Sequence, residues 1–145
     1  MLLITCQLIV LSKNNQQKEI ENLRQTELAF SKMCGEKGMK ASFLFYADKD
    51  VIKLEGDGQF PIISIDSLKA SFGEEREKFQ LQWSPTKVDV SKSADIGYTF
   101  GTWTLTKTDG SKLFGVYYTV WKKQQDGSWK FIFDTGNTTP ALLTK

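Results

Sequence analysis

The side chains able to do chemistry in this chain are narrowed first by an absence: its 145 residues include no histidine. That removes the commonest general base, the usual zinc ligand and any Ser-His or Cys-His nucleophile pair. The two cysteines, Cys6 and Cys34, form neither a CxxC pair nor a disulfide framework. Cys34, between Met33 and Gly35, reads as a half-buried thiol where a helix ends. A catalytic thiol would need a cationic or basic partner, which the sequence does not offer. Carboxylate chemistry remains, with Asp134 and Glu55 as candidate acids or bases. Asp134 stands in an apolar strand, where a carboxyl must be hydrogen-bonded and burial raises its pKa. Two readings of it stay open. One is a polar anchor or general acid/base at the floor of a small-molecule pocket, and the other a carboxylate satisfied by Thr119, Tyr117 or a backbone amide. Glu55, beside Gly56 and Asp57, is either a second acid/base group or an exposed turn residue. No metal and no cofactor is called for.

The stretch that must position Asp134 runs from Gly97 to Asn137. It predicts three β-strands rich in Thr, Tyr, Trp, Phe and Val, joined by turns at Asp109-Gly110 and Asp126-Gly127. Two-residue turns there pair Thr104 with Gly115, Thr102 with Tyr117, Trp121 with Ile132 and Thr119 with Asp134. Side chains alternate across a sheet, so one face should carry Phe100, Thr102, Thr104, Tyr117, Thr119, Trp121, Ile132 and Asp134. The other should carry Trp103, Leu105, Phe114, Val116, Tyr118, Val120, Trp129, Phe131 and Phe133. That second face is almost wholly apolar, whereas a sheet with one side in water alternates apolar and polar residues. Both sides are therefore expected to be covered, one by the chain's own helices and the apolar one by a second copy in a homodimer.

The rest of the chain supplies those helices. Residues 1–15 form an apolar leader and polar spacer, and residues 16–140 one domain. The leader, MLLITCQLIVL, is too short to cross a bilayer, and no Lys or Arg precedes it. It resembles the apolar region of a secretory signal peptide whose true start lies upstream, with Cys6 a possible lipidation site. Export to the periplasm or the outside follows from that reading, and a cytoplasmic protein from the alternative of a first strand or an apolar arm. Gln16 to Met33 and Met39 to Tyr46 predict two helices separated at Gly35 and Gly38. Asp48 to Leu54 and Phe60 to Ile65 predict short strands, Leu68 to Phe79 a helix capped by Asp66-Ser67, and Leu81 to Val90 another strand. Glu74, Glu75 and Glu77 read as that helix's wet side. The net charge of +2, with no basic run interleaved with aromatics, argues against nucleic acid.

Two helices, a short strand pair, a helix and a long antiparallel sheet follow one another in an order that resembles the cone-shaped α+β fold of the nuclear transport factor 2-like superfamily. Phe45-Tyr46-Ala47-Asp48 resembles that superfamily's end of the second helix. Gly101-x-Trp103, Gly115-x-Tyr117-x-x-Val120-Trp121 and Asp126-Gly127-x-Trp129-Lys130 through Asp134-x-Gly136-Asn137 resemble its SnoaL-like branch. More closely still, they are similar to the domain of unknown function 4440 proteins. The resemblance covers about Ile20 to Asn137 and implies a cavity between helices and curved sheet, binding a small molecule of apolar or mixed polarity. Its site would include Phe30, Thr102, Tyr117, Thr119, Trp121, Ile132 and Asp134. The superfamily includes ketosteroid isomerases, whose proton-shuttling acid falls here at Glu55. The tyrosine and acid that donate to the oxyanion fall at Phe30 and Thr119. Phe30 has no hydroxyl, so the resemblance implies that both usual donors are replaced. A ligand-binding domain, a cofactor-free isomerase or lyase using Asp134 or Glu55, and a protein-association module are the three functions this leaves.

Overall fold

The computed structural model describes residues 2–73 and 79–143, with the side chains of residues 2–12 left aside. Helix α1 spans Leu2–Tyr46 and is interrupted at Gly38, whose φ of 84° breaks the helical turn. The backbone of residues 2–15 is therefore helical and not a strand. Gly35 lies within the helix, so the expected break comes only at Gly38, where glycine tolerates positive φ. The Cys6 side chain and Glu74, Glu75 and Glu77 lie outside the description. No helix among the described residues is long and apolar enough to cross a membrane.

Strand β1 (Ala47–Lys53) follows directly, then β2 (Ile62–Ile63), shorter than its apolar run predicts, with Phe60 in solvent. Helix α2 (Ile65–Ser71) begins earlier and ends sooner than expected. Its cap is Ser64, which accepts from the amide of Ser67 through its side chain at 3.3 Å, and not Asp66-Ser67. Phe79, expected at the end of that helix, instead opens β3 (Phe79–Val90). Strands β4 (Ile96–Lys107), β5 (Lys112–Lys123) and β6 (Trp129–Thr139) complete a sheet of order β2-β1-β6-β5-β4-β3. All neighbours are antiparallel except β1 and β6.

The two hairpins correct the expected register. Each loop holds three residues, closed by Lys107 to Ser111 and Gln124 to Ser128 hydrogen bonds, with positive φ only at Gly110 and Gly127. A three-residue loop ending in a left-handed glycine shifts pairing by one residue, which exchanges the faces. Thr104 thus pairs with Phe114, Thr102 with Val116, and Trp121 with Phe131, not Ile132. Thr119 nonetheless pairs with Asp134, because a bulge at Val120/Trp121 inserts one residue on β6. The face under α1 consequently carries Thr99, Gly101, Trp103, Tyr117, Thr119, Trp121, Phe131 and Asp134. Phe100, Thr102, Val116, Tyr118 and Val120 occupy the opposite face, half-buried or exposed in the single chain.

Helix α1 lies on the first of these faces. Its buried residues Leu23, Glu27, Phe30 and Cys34 recur at helical spacing and meet Trp83, Trp121 and Phe131. Cys34 is buried, not half-buried. Phe30 sits at the centre, its ring 4.7 Å from Trp83, 4.8 Å from Phe43 and 5.6 Å from Phe131. Two polar ties fix the helix along β3, whose other neighbour is β4. Gln16 donates to the Val90 carbonyl at 2.6 Å, and Ser31 Oγ accepts the Trp83 amide at 2.9 Å.

Candidate functional site

A cavity of about 310 Å³ opens between α1, the end of β1 and the covered face of the sheet. Its apolar wall comes from Phe30, Phe43, Phe79, Leu81, Trp83, Trp103 and Leu105, its polar wall from Glu27, Lys53, Glu55, Tyr117, Thr119 and Asp134. Trp103 reaches its position because Gly115, across the strand pair, has no side chain. A Cβ there would stand 2.1 Å from the indole, whose Nε1 donates to the Val116 carbonyl at 3.1 Å.

Asp134 is carried inward by the β6 bulge, and its Oδ2 accepts from Thr119 Oγ1 at 2.9 Å. Burial raises its pKa above the ordinary carboxyl range. Lys53 and the Thr119 bond oppose that shift and Glu55 adds to it. Lys53 Nζ lies 2.8 Å from Glu55 Oε1 and 5.9 Å from the centre of the Phe43 ring. Tyr117, next to Thr119 on the inward side of β5, is buried. Its hydroxyl has no hydrogen-bond partner among the described residues. Burial, then the negative charges of Glu27 and Asp134, push that hydroxyl's pKa far up, against smaller opposing effects of the nearby Thr99 hydroxyl, which is not in hydrogen-bond geometry with it, and of Arg24.

Glu27 is the site residue that sequence reasoning missed. It is only 1% exposed, and one carboxylate oxygen accepts the Trp83 indole N–H. The other accepts from Thr99 Oγ1 at 2.6 Å and Trp121 Nε1 at 3.2 Å. Burial raises its pKa to about 7, with the three hydrogen bonds opposing and Asp134 adding. A signal existed. Ile20, Leu23, Glu27, Phe30 and Cys34 follow one another at alternating spacings of three and four, the phase of a buried helix face.

Of the residues expected at a site, Phe30, Glu55, Tyr117, Thr119 and Asp134 line this one cavity. Three do not. Thr102 is on the opposite sheet face because of the register shift, Trp121 is fully enclosed behind the cavity as a donor to Glu27, and Ile132 occupies the bulge. Among the described residues no group of three or more acids or cysteines is placed to hold a metal ion.

No protein-family model and no curated protein matches the chain. Solved structures do. A ketosteroid isomerase-like protein from Erwinia carotovora atroseptica SCRI1043 superposes with a TM-score of 0.65 at 16% identity, over 85% of this chain and 98% of that one. A nuclear transport factor 2-like protein of unknown function from Pseudomonas putida KT2440 gives 0.70 at 10% identity, over 83% and 87%. A scytalone dehydratase-like protein from Novosphingobium aromaticivorans DSM 12444 gives 0.66 at 16%, over 88% of each chain. At such identities the likeness speaks for architecture alone. The open curved sheet wrapped on α1 is the nuclear transport factor 2-like α+β fold.

Proposed function

We propose that this chain is a small-molecule-binding domain whose ligand enters the cavity between α1 and the sheet. The observation that carries the reading is the buried Tyr117 hydroxyl, which makes no hydrogen bond among the described residues, on the wall of a largely apolar cavity. A buried hydroxyl without a hydrogen bond costs stability, and a ligand group can supply the missing partner. A cavity of about 310 Å³ suits a molecule of roughly one or two rings. The test is a screen of aromatic fragments followed by Trp fluorescence, since Trp83 and Trp103 line the space. Binding should be saturable and abolished by Leu105→Trp, which fills the cavity from its rim. Unchanged binding in that variant would place the ligand elsewhere and end the proposal.

A second reading, a cofactor-free isomerase or lyase, is favoured by one fact: Asp134 presents a carboxyl of raised pKa beside an oriented hydroxyl. Glu55 is the weaker candidate, since it pairs with Lys53. Turnover of a co-purifying molecule should fall at least tenfold in Asp134→Asn on roughly the scale of general acid–base catalysis. An unchanged rate in both Asp134→Asn and Glu55→Gln sinks this reading and leaves binding intact.

A further inference from the structure

The charges on the cavity wall do not balance. Among the described residues, Glu27, Glu55 and Asp134 line it against Lys53. Lys53 is shared: it pairs with Glu55 at 2.8 Å and its charge also acts on Asp134, its neighbour across the β1–β6 pair, so one lysine faces three acids. Among the described residues, the hydrogen bond to the Asp134 carboxyl comes from a neutral hydroxyl, and those to Glu27 from two indoles and a hydroxyl. Arg24, one turn before Glu27 on α1, is directed to Glu21 at 3.7 Å and does not line the cavity. The unpartnered Tyr117 hydroxyl, 7% exposed, stands on the same wall with its oxygen able to accept. Around these groups are the faces and edges of Phe30, Trp83 and Trp103.

We propose that the cavity's ligand is an organic cation, an amine on an apolar or aromatic body, whose ammonium donates to Asp134 and to the Tyr117 hydroxyl oxygen. This rests on the reading of the cavity as a small-molecule site and narrows its ligand class. An anion would meet three acids that share one lysine, and a neutral molecule would leave that excess of acidic groups unrelieved. An ammonium neutralises one and gains from the aromatic rings, an attraction strongest where water is excluded. Lys53 provides an internal precedent, its own ammonium resting near the Phe43 ring at the cavity edge. The groups governing pH dependence are Glu27 and Arg24 on α1, Lys53 at the end of β1, Glu55 just beyond it, Tyr117 on β5 and Asp134 on β6. Glu27, whose carboxyl is pushed to about 7, ionises while the amine stays protonated, so amine affinity should rise as pH passes upward through about 7.

The experiment compares phenethylamine, 2-phenylethanol and phenylacetate, which share a ring and differ in charge, by titration calorimetry on the full chain. The amine should bind roughly tenfold or more tighter than the alcohol, with phenylacetate weakest. Asp134→Asn should erase most of that preference while the alcohol still binds. The pH profile of the unaltered chain gives an independent readout should the variant fail to fold. Alcohol or carboxylate binding as tightly as the amine, or an amine affinity that does not rise with pH, overturns the cation assignment but not the binding site. An amine preference untouched by Asp134→Asn overturns the placement of the ammonium. No saturable binding of any of the three overturns both.

Discussion

Glu27→Gln should change how the stability of this protein depends on pH, and the size of the change can be worked from the fold. The carboxyl has an ordinary pKa of 4.5 and is pushed to about 7 in the folded chain, chiefly by burial. An acid whose folded value is raised binds more protons folded than unfolded between those two values. Stability is then greatest below 4.5 and falls as pH rises, with the loss complete just above 7. At about 1.4 kcal/mol per tenfold, ionising Glu27 between about pH 5 and pH 8 removes roughly 2–3 kcal/mol. Being almost wholly enclosed, the group receives little relief from solvent. Glutamine keeps the shape and can still accept from Trp83 or Trp121, but carries no charge. Urea unfolding of both proteins at the two pH values gives a double difference. Wild type should lose about 2–3 kcal/mol more than Glu27→Gln on going to the higher pH. Parallel losses, within about 0.5 kcal/mol, would mean that Glu27 is ionised throughout, and the account of its burial would be wrong.

Phe30→Ala removes the ring on which Phe43, Trp83 and Phe131 converge, and should cost about 3–5 kcal/mol in denaturant unfolding. Gly115→Ala drives a methyl into the Trp103 ring, so near-ultraviolet circular dichroism should change and stability should fall by about 1–3 kcal/mol; an unaltered spectrum would contradict the packing. The opposite sheet face, with Phe100, Val116, Tyr118 and Val120, is expected to be covered by a second copy, giving twice the chain mass in light scattering at micromolar concentration. Val116→Glu should return the single-chain mass if that face is the contact, and leave it unchanged if it is not.

Much of this architecture was legible because its strands obey local chemistry. The runs of Thr, Tyr, Trp and Val in β4 and β5 fall where their composition predicts. Asp-Gly marked both hairpins correctly but did not fix the loop length. The same dipeptide serves a two-residue turn and the last positions of a three-residue one, and only the second needs a single positive φ. That one residue moved Trp103 and Phe131 from the outer face to the covered one and Thr102 in the reverse direction. Asp134 kept its partner for a different reason: the β6 bulge cancels the slip, and such bulges leave little trace in composition.

The helices show the same division between period and chemistry. Leu23, Phe30 and Cys34 announce the buried stripe, yet Leu28, apolar and close by, is 38% exposed while Glu27 is enclosed. Residue type argued for the reverse. What reverses it is the trio of donors, Trp83, Thr99 and Trp121, which come from three strands far along the chain. A carboxyl's burial depends on partners that only the tertiary fold assembles. The lining of the cavity by Phe30, Glu55, Tyr117, Thr119 and Asp134 was reachable from family likeness, whereas the roles of Lys53, Trp83 and Trp103 required coordinates.

The Ser31 hydroxyl that takes the Trp83 amide has a consequence beyond holding a helix in place. Strand β3 ends the sheet, and a terminal strand with open amides is a template on which another chain can add itself. By laying α1 along that border, with Ser31 on the Trp83 amide and Gln16 on the Val90 carbonyl, the fold takes two groups of its long edge strand out of reach of such pairing. A hydroxyl on the helix thus withdraws one amide of that border from pairing, and the same helix that walls the cavity also guards the sheet's edge.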